Sequence, residues 1–379
     1  MATLAVLLPG GVVRAEPPVT RQPAAEPAPP ALALPAPTGR YPVGTRWLHL
    51  TDDSRPDPWR PDSRRELMVS LWYPALPGPG SPTTRGGPVP APPAPYTTAA
   101  VSARIIAAER LPVSPDVLAT VRVTARRDAR MRPTARGWPL VILSPGFSLS
   151  RESLTGLAED LASHGYLVAA VDHPGEAHGV EFPDGRLVGC LACEAAGPDT
   201  APGIIAGRVA DLAFVLDRLT GPRAAWPGGR LVDRTRVGVI GHSLGGATAV
   251  RMLSADQRVD AAANLDGTMF VPAGRIGEPV LLVGSDRAPD PTWSRDWTGL
   301  TGWKRWITVT GSGHMTFTDR PVLGAGLGLD TGPIPADRQL LLTRSYVRAF
   351  VDRHLRNRPA PLLDAPAAEF PEVVFRGIS

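Results

Sequence analysis

The amino-acid sequence predicts an α/β fold in which a mostly parallel central sheet is covered by helices on both faces. From residue 137 onward, short apolar strand segments alternate with amphipathic helical segments, which is typical of βαβ units. The segments "PLVILSPG" and "YLVAAVD" are almost continuously apolar, as strands are when both of their faces are buried. We expect one folded domain over residues 41–379.

Residues 1–40 are expected to precede this domain. "MATLAVLLPGGVVRAEPP" has a short apolar core before Val13-Arg14-Ala15, which is similar to a signal-peptide cleavage site. Because no Lys or Arg precedes the core, two interpretations stay open. We favour a signal peptide with a truncated start, hence a secreted or extracytoplasmic protein; the alternative is a disordered leader of a cytoplasmic protein. Pro17 to Pro37 then holds eight prolines in 21 positions, which indicates an extended linker.

Two strands and a helix are expected next. "WLHLTD" and "ELMVSLWYPA" alternate or run apolar, as paired strands do. A second proline-rich stretch, Pro77 to Pro95, precedes "PYTTAAVSARIIAAERL", whose composition favours a helix that caps the fold or faces substrate. Its apolar part, residues 101–112, could contact a lipid interface, but a buried helix is the default expectation.

The remaining elements alternate regularly. The predicted strands after "YLVAAVD" are "RVGVIGHS", "VDAAANLD", "PVLLVGSD" and "WKRWITVTG". The predicted helices are "SLTGLAEDLASHG", "GRVADLAFVLDRLTG", "GGATAVRMLSAD" and the closing "DRQLLLTRSYVRAFVDRHL". In the first of these helices, Leu154, Leu157 and Leu161 recur at helical spacing and Gly165 provides a stop.

Composition limits the classes of function. The chain has 379 residues, of which 43% are apolar and 20% charged, and a net charge of +4 with the arginines scattered among acids, so we expect no nucleic-acid binding. No apolar run approaches the roughly 20 residues that a membrane span needs. Cys190 and Cys193, in "GCLACEAAG", form either a disulfide, as suits an exported protein, or two free thiols. With no second CxxC pair, no zinc site is expected.

The stretch "VGVIGHSLGGATAV" places Ser243 at a tight bend between a predicted strand and a predicted helix. Gly241 and Gly245 leave room for backbone segments to approach closely, and the bend projects the Ser243 hydroxyl beyond the carboxyl end of the strand. The helix that follows aims its first amide groups at the same point. This is the Gly-x-Ser-x-Gly nucleophile elbow of α/β-hydrolases, and its strand and helix context makes the signal strong.

A serine hydroxyl needs a base to take its proton and an acid to orient that base. Downstream of Ser243, His354 falls within the closing helix, whereas His314 lies in the glycine-flanked loop "VTGSGHMTF" after the last strand, so we predict His314 as the base. Asp266 and Asp286 end successive strands, and spacing alone does not choose between them. The predicted oxyanion donors are the backbone amides of Leu244 and Phe147.

The segments "PLVILSPGFSLSRESLTGLAEDLASHGYLVAAVDH", "GHSLGGATAV", "AANLDG" and "ITVTGSGHMTFTD", in this order, resemble the platelet-activating-factor acetylhydrolase family of α/β-hydrolases, in its plasma-type branch and bacterial relatives. The resemblance spans roughly residue 41 to the end. It implies Asp266 as the acid, with Asp286 as the rival, and Phe147 and Leu244 as the oxyanion donors. The chain departs from the family in having Pro145-Gly146 where His-Gly is common.

We therefore predict a serine carboxylester hydrolase that cleaves short-acyl esters through an acyl-enzyme on Ser243. The resemblance implies acetyl groups of phospholipid-like substrates; a broader lipase, a cutinase-like polyesterase and an arylesterase are alternatives on the same scaffold. A catalytically silent hydrolase-fold binding protein is the alternative from another class. The expected partner is a small-molecule or lipid ester, with no cofactor and no metal. The segment "VDHPGEAHG" holds metal-ligand residue types, but a structural role for it is favoured.

Overall fold

The structure, a computed structural model, describes residues 32–77, 91–221 and 224–376. The predicted signal peptide lies outside these residues, as does most of the proline-rich stretch from Pro77 to Pro95. The described residues contain every strand and helix that the sequence predicts from residue 41 onward.

The strands of the described residues form one large sheet and one short hairpin. They are β1 (Val43–Asp57), β2 (Arg60–Pro74), β3 (Pro93–Pro95), β4 (Arg122–Arg127), β5 (Trp138–Ser144), β6 (Leu167–Val171), β7 (Val180–Glu181), β8 (Leu187–Val188), β9 (Val232–His242), β10 (Ala261–Leu265), β11 (Val280–Gly284), β12 (Lys304–Val309) and β13 (Val373–Arg376). The large sheet has 11 strands in the order β13-β12-β11-β10-β9-β5-β6-β2-β1-β4-β3, and β7 pairs with β8. The central run from β6 to β12 is parallel, whereas β2 and β13 flank it in antiparallel pairing.

Helices cover both faces of this sheet. The α-helices of the described residues are α1 (Ala99–Ala108), α2 (Thr155–Ser163), α3 (Ala201–Thr220), α4 (Leu244–Ala255), α5 (Pro291–Asp296), α6 (Arg320–Gly326) and α7 (Ala336–Arg356). Short 3-10 turns lie at Val117–Thr120, Arg151–Leu154, Ala192–Glu194, Pro227–Leu231, Trp297–Gly299, His314–Phe317 and Pro361–Leu363. One apolar cluster joins α2 and α7 to one face of the sheet, and a second cluster joins α3 and α4 to the other.

The continuous apolar character of β5 follows from this sandwiching. All seven of its residues are buried. Leu140 and Ile142 contribute to the cluster that contains α3 and α4, whereas Val141 and Leu143 contribute to the cluster that contains α2 and α7. The predicted fold class, an α/β fold with a mostly parallel sheet and helices on both faces, is confirmed.

The elements that the sequence analysis did not predict are short or lie at an edge. They are β3, β4, β7, β8, β13, α5 and α6, none longer than seven residues, and a segment of that length shows little periodicity. The predicted strand pair "WLHLTD" and "ELMVSLWYPA" forms β1 and β2, an antiparallel pair of 15 residues each, and extends the sheet beside β6.

Residues 32–40, whose proline content indicated a linker, contact the folded body. Leu32 and Leu34 are buried in an apolar cluster with residues of α1 and α6. The Arg344 guanidinium of α7 donates hydrogen bonds to two carbonyl oxygens of this segment, at 2.9 and 3.0 Å. Packed structure therefore begins before Tyr41, where composition had placed its start.

Cys190 and Cys193 form a disulfide in the loop between β8 and α3. Ala192, between them, is buried, and its amide donates to the carbonyl oxygen of Gly175 at 2.8 Å. Of the two states left open by the sequence, the structure contains the bonded one.

The helix predicted around residues 101–112 is α1, and it buries Val101 and Ile106 against its neighbours. Across the described ranges, we find no helix with the length and apolar character needed to cross a bilayer. Lipid-interface contact by this segment stays a prediction.

Truncation of Leu140 to alanine should destabilise the protein strongly. This side chain is fully buried in β5, so its removal leaves a cavity between the sheet and its covering helices and costs about 3 kcal/mol of unfolding free energy. The matched control is Leu341→Ala on α7, where the side chain is 36% exposed and the change should stay within about 0.5 kcal/mol. Urea denaturation of both variants measures the difference; equal midpoints would contradict the sandwiched position of β5.

Candidate active site

Four polar side chains follow the ends of four neighbouring parallel strands. Ser243 follows β9, Asp266 follows β10, Asp286 lies two residues after β11, and His314 lies five residues after β12. Because the carboxyl ends of parallel strands meet at one edge of the sheet, these residues are gathered there. Ser243, Asp266 and His314 line one open cleft of about 800 Å³.

The bend at Ser243 is tight and its backbone is strained. Ser243 has φ of +55° and ψ of −125°, a conformation that non-glycine residues rarely adopt. Its amide donates to the carbonyl oxygen of Leu265 at 2.8 Å, which ties the bend to the neighbouring strand. A β-carbon at Gly245 would lie 2.0 Å from the carbonyl oxygen of Ser144, and one at Gly241 would lie 2.1 Å from the backbone of Gly245. Both glycines are therefore steric requirements of the bend.

The imidazole of His314 is paired with Asp266. His314 Nδ1 lies 2.6 Å from Asp266 Oδ2, and since a carboxylate oxygen only accepts, the ring nitrogen is the donor. The Ser285 amide and hydroxyl donate to the same carboxylate at 2.9 Å each, and Arg287 lies 3.3 Å from Oδ1. Burial opposes ionisation of the Asp266 carboxyl, but the hydrogen bonds from His314 and Ser285 and the charge of Arg287 outweigh it, so its pKa lies below the ordinary value.

Asp286, the rival carboxylate, has a different partner. Its Oδ2 accepts from the Gly311 amide at 2.7 Å, and its own amide donates to the Ser312 carbonyl oxygen at 3.1 Å. Asp286 thus binds the loop that leads to His314, while Asp266 binds the ring itself. The structure brings Asp266, and not Asp286, to the histidine.

A second histidine, His242, contacts both the ring and the backbone of His314. The rings of His242 and His314 lie 4.7 Å apart between centroids, and His242 Nε2 donates to the His314 carbonyl oxygen at 2.8 Å. Burial, together with repulsion from His314, lowers the pKa of His242 to about 3, so its ring is neutral at ordinary pH. His242 is a packed residue that fixes the backbone of His314.

Two unpaired backbone amides face the region of Ser243. Among the described residues, neither the Phe147 amide nor the Leu244 amide donates to a protein acceptor. Both residues line the cleft with Ser243. A β-carbon at Gly146 would lie 3.2 Å from the β-carbon of Ser243, so the loop that carries Phe147 passes directly beside the serine. Pro145, where the family commonly has histidine, keeps this approach.

The Ser243 hydroxyl and the His314 ring line the same cleft, and the structure of the described residues contains no direct hydrogen bond between them. In enzymes without bound substrate, such hydrogen bonds are often long and tighten only when substrate arrives. The rest of the cleft wall is mostly apolar, formed by Phe147, Ala201, Ile204, Leu244 and Phe270.

The segment "VDHPGEAHG" contributes to a buried polar network. His173 lies between the Ser144 hydroxyl, at 3.0 Å, and Asp211, at 2.9 Å. Burial lowers the pKa of His173, and the charge of Arg208 adds to the effect, so the ring is neutral, donates to Asp211 and accepts from Ser144. Within the ranges that the structure describes, we find no cluster of His, Cys, Asp and Glu suited to a metal ion.

Sequence reasoning missed the residues of α3 in this network. Arg208 and Asp211 lie on the stripe of α3 that otherwise buries Ile204, Ile205 and Leu212. Charged residues at helical spacing on an apolar stripe are a detectable signal, because a buried charge needs a partner. Ser285 and Arg287, which contact Asp266, gave no signal beyond their position after a strand.

Comparison with known proteins places these features in a family. A profile of the family described as platelet-activating factor acetylhydrolase, isoform II, matches residues 30–180 and 229–328. A probable 1-alkyl-2-acetylglycerophosphocholine esterase from Arthroderma benhamiae is 30% identical over 386 residues, which cover 92% of this chain and 94% of that protein. The platelet-activating factor acetylhydrolase of Bos taurus is 28% identical over 275 residues, which cover 59% of this chain and 58% of the bovine protein.

A solved structure is also similar over most of the chain. A ferulic acid esterase from Streptomyces cinnamoneus superposes with a TM-score of 0.80 at 46% sequence identity, covering 92% of this chain and all of that one (100%). The similarity supports the predicted α/β-hydrolase fold.

Substitution of Gly245 by alanine should damage the bend. Its β-carbon would collide with the Ser144 carbonyl oxygen, so the backbone must move, and a displacement near 1 Å at a reacting group lowers kcat/KM about 10²-fold. The matched control is Gly207→Ala, inside α3, where a β-carbon meets no atom within 4 Å and stability should rise by about 0.5–1 kcal/mol. Kinetics with nitrophenyl acetate and thermal denaturation distinguish the two; a fully active Gly245→Ala enzyme would show that the bend is looser than described.

Proposed function

The chain belongs to the platelet-activating factor acetylhydrolase, isoform II, family, and we propose that it hydrolyses short-acyl carboxylic esters through an acyl-enzyme on Ser243. The observation that carries the proposal is the pairing of His314 with the buried Asp266 at 2.6 Å, in the cleft that Ser243 lines. An imidazole that is oriented by a carboxylate and lines the same cleft as a serine at a strained bend is the arrangement that makes a hydroxyl nucleophilic.

In the first half of the reaction, Ser243 Oγ attacks the ester carbonyl carbon while His314 Nε2 takes the hydroxyl proton. The carbonyl oxygen becomes an oxyanion and accepts hydrogen bonds from the Phe147 and Leu244 amides, which have no protein acceptor among the described residues. When the intermediate collapses, the ester C–O bond breaks and His314 gives its proton to the leaving alcohol. The acyl group stays on Ser243.

In the second half, water replaces the alcohol. His314 Nε2 takes a proton from water as its oxygen attacks the acyl carbon, and the same two amides stabilise the second oxyanion. Collapse returns the proton to Ser243 Oγ and releases the carboxylic acid. The bond between the acyl carbon and Ser243 Oγ breaks in this collapse. His314 has then passed one proton from Ser243 to the alcohol and one from water to Ser243, so the side chains end as they began.

Asp266 acts on His314 and not on substrate. Because its pKa is below the ordinary value, it is ionised at neutral pH and keeps Nδ1 of His314 protonated, which leaves Nε2 free to accept. The negative charge also stabilises the imidazolium formed in each half-reaction. Arg287 and Ser285 hold the carboxylate in place.

For the substrate, we favour acetyl esters of phospholipid-like alcohols. The similar proteins of Arthroderma benhamiae and Bos taurus are named as an acetylglycerophosphocholine esterase and a platelet-activating factor acetylhydrolase. The apolar wall formed by Phe147, Leu244 and Phe270 offers apolar contact to a small acyl group. A role in lipid degradation rests on this assignment.

A second candidate is an ester with an aromatic acyl group. The solved neighbour, at 46% identity, is described as a ferulic acid esterase, and this chain's cleft is open and includes two phenylalanines, Phe147 and Phe270. Broader lipase, cutinase-like or arylesterase activity would use the same side chains with other contacts in the cleft.

We also propose that the protein works in an oxidising, extracytoplasmic compartment. The Cys190–Cys193 disulfide supports this, because such bonds persist outside the reducing cytoplasm. The short apolar segment near the start of the sequence is compatible with export.

A panel of esters tests the function and its substrate. Wild-type protein should react with a fluorophosphonate probe and hydrolyse nitrophenyl acetate, with kcat/KM falling as the acyl chain lengthens from acetyl to octanoyl. Ser243→Ala should lose probe labelling entirely and nearly all turnover while keeping its melting temperature. Methyl ferulate hydrolysed faster than acetyl esters would favour the aromatic candidate, whereas a folded wild-type protein that neither labels nor turns over would favour the silent binding protein.

Paired carboxylate variants identify the acid. Asp266→Asn should lower kcat on nitrophenyl acetate by about 10⁴-fold, since the amide no longer holds the required tautomer of His314. Asp286→Asn keeps an oxygen that can accept from the Gly311 amide and should lose less than about 10-fold. The measurement is the kcat of the two variants relative to the wild-type enzyme, with circular dichroism to check that both are folded. A collapse of activity in the Asp286 variant alone would reverse the assignment.

A further inference from the structure

The loop that carries the proposed oxyanion donor contacts a buried ion pair, which is formed by Arg208 of α3 and Glu176. This loop, residues 145–148, lies between β5 and the turn before α2, and its Phe147 amide is the one to which we assign the proposed chemistry. A single amide is an effective oxyanion donor only when its peptide plane is held still. The inference below rests on the proposed function.

Arg208 contacts the loop on its N-terminal side. This residue lies in α3 and its side chain is 1% exposed. Its Nη1 donates to the carbonyl oxygen of Pro145 at 2.6 Å, and its Nε donates to Glu176 Oε2, also at 2.6 Å. Proline has no amide proton, so the Pro145 carbonyl is the one backbone group at this residue that a side chain can hold.

Glu176 contacts the loop on its C-terminal side. Its backbone carbonyl oxygen accepts from the Ser148 amide at 3.0 Å, while its side chain, 3% exposed, is paired with Arg208. The Arg208 side chain therefore holds the carbonyl of Pro145, two positions before Phe147, and the backbone of Glu176 holds the amide of Ser148, the residue after Phe147. The Gly146–Phe147 peptide between these two anchors carries the Phe147 amide, and its Gly146 carbonyl oxygen accepts from the Leu149 amide at 3.2 Å.

The position of this pair favours a role beyond stability. Arg208 lies in α3, whereas the loop follows β5, so the loop and its support come from different parts of the chain. Buried ion pairs often add little net stability, because desolvation offsets the attraction, but they specify one geometry. Here the specified geometry is that of a loop in which a β-carbon at Gly146 would lie 3.2 Å from the β-carbon of Ser243.

We propose that Arg208 is a positioning residue for the oxyanion hole: with Glu176 it fixes the two peptide groups on either side of the one that presents the Phe147 amide to the transition state. Arg208 touches neither substrate nor Ser243 and acts through the loop. Loss of its side chain therefore weakens binding of the tetrahedral intermediate while leaving binding of the ground-state ester almost unchanged.

The test compares Arg208→Met with the wild-type enzyme. On nitrophenyl acetate, we expect kcat to fall about 10²-fold with KM within about two-fold, because a displaced donor affects the transition state alone. Butylboronic acid, which forms a tetrahedral adduct with a catalytic serine, should bind more weakly by a factor similar to the loss in kcat. Arg208→Lys keeps a cation that can donate to the Pro145 carbonyl, so it should recover part of kcat relative to Arg208→Met. The recovery should be incomplete, because an ammonium group holds fewer acceptors in fixed geometry than a guanidinium does.

Arg344→Met is the matched control. Arg344 is also buried and also donates to backbone carbonyl oxygens, but these belong to Gly156 and to residues 35 and 36. It should lower the melting temperature without changing kcat or boronate affinity below that temperature. If Arg208→Met instead behaves as Arg344→Met does, the pair is structural only and the proposal fails.

Two further results keep the test decisive. Should Arg208→Met not fold, Arg208→Lys carries the comparison, and wild-type kcat and boronate affinity in that variant would overturn the proposal. A wild-type enzyme that hydrolyses none of the esters would contradict the proposed function itself, whereas an active wild type with an equally active Arg208→Met variant would contradict this inference alone.

Discussion

The parallel pairing of β9, β10, β11 and β12 is the constraint on which the candidate site depends. The register sets Leu265 of β10 beside His242 of β9 and Val283 of β11, so the three strands end at nearly the same level. Residues just beyond each end are then within side-chain reach of one another, although they are far apart in sequence. A shift of one strand by two residues would separate Asp266 from His314.

Backbone strain at the strand ends converts this proximity into a fixed orientation. Ser243 and Asp266 both have positive φ, +55° and +58°, which costs of order 1–3 kcal/mol for a residue with a β-carbon. Each is held by a hydrogen bond from its own amide to the neighbouring strand, Ser243 to Leu265 and Asp266 to Val283, at 2.8 Å in both cases. The sheet thus maintains two unfavourable conformations that point both side chains toward the cleft.

The sequence predicted the parts of the structure that depend on local patterns. Continuous apolar strands, amphipathic helices and the glycines around Ser243 each report on a few neighbouring residues, and these predictions describe the central sheet correctly. The choice between Asp266 and Asp286 did not follow from spacing, because both end strands; it follows from which strand tip lies beside His314. Arg208 was missed because its partners are Glu176 and the Pro145 carbonyl, and such pairing depends on tertiary contacts that a single sequence does not show.

The segment from Leu32 to residue 40 illustrates how composition can mislead about order. A proline-rich stretch has few backbone conformations available before it docks, so it loses little conformational entropy when it becomes fixed. Two contacts are then sufficient to immobilise it. Its two leucines pack in an apolar cluster, and two of its backbone carbonyl oxygens accept hydrogen bonds from Arg344. A recombinant chain begun at Tyr41 would uncover that cluster and leave a buried guanidinium short of acceptors, so Pro35 and Pro37, which composition assigned to a linker, belong to the folding unit.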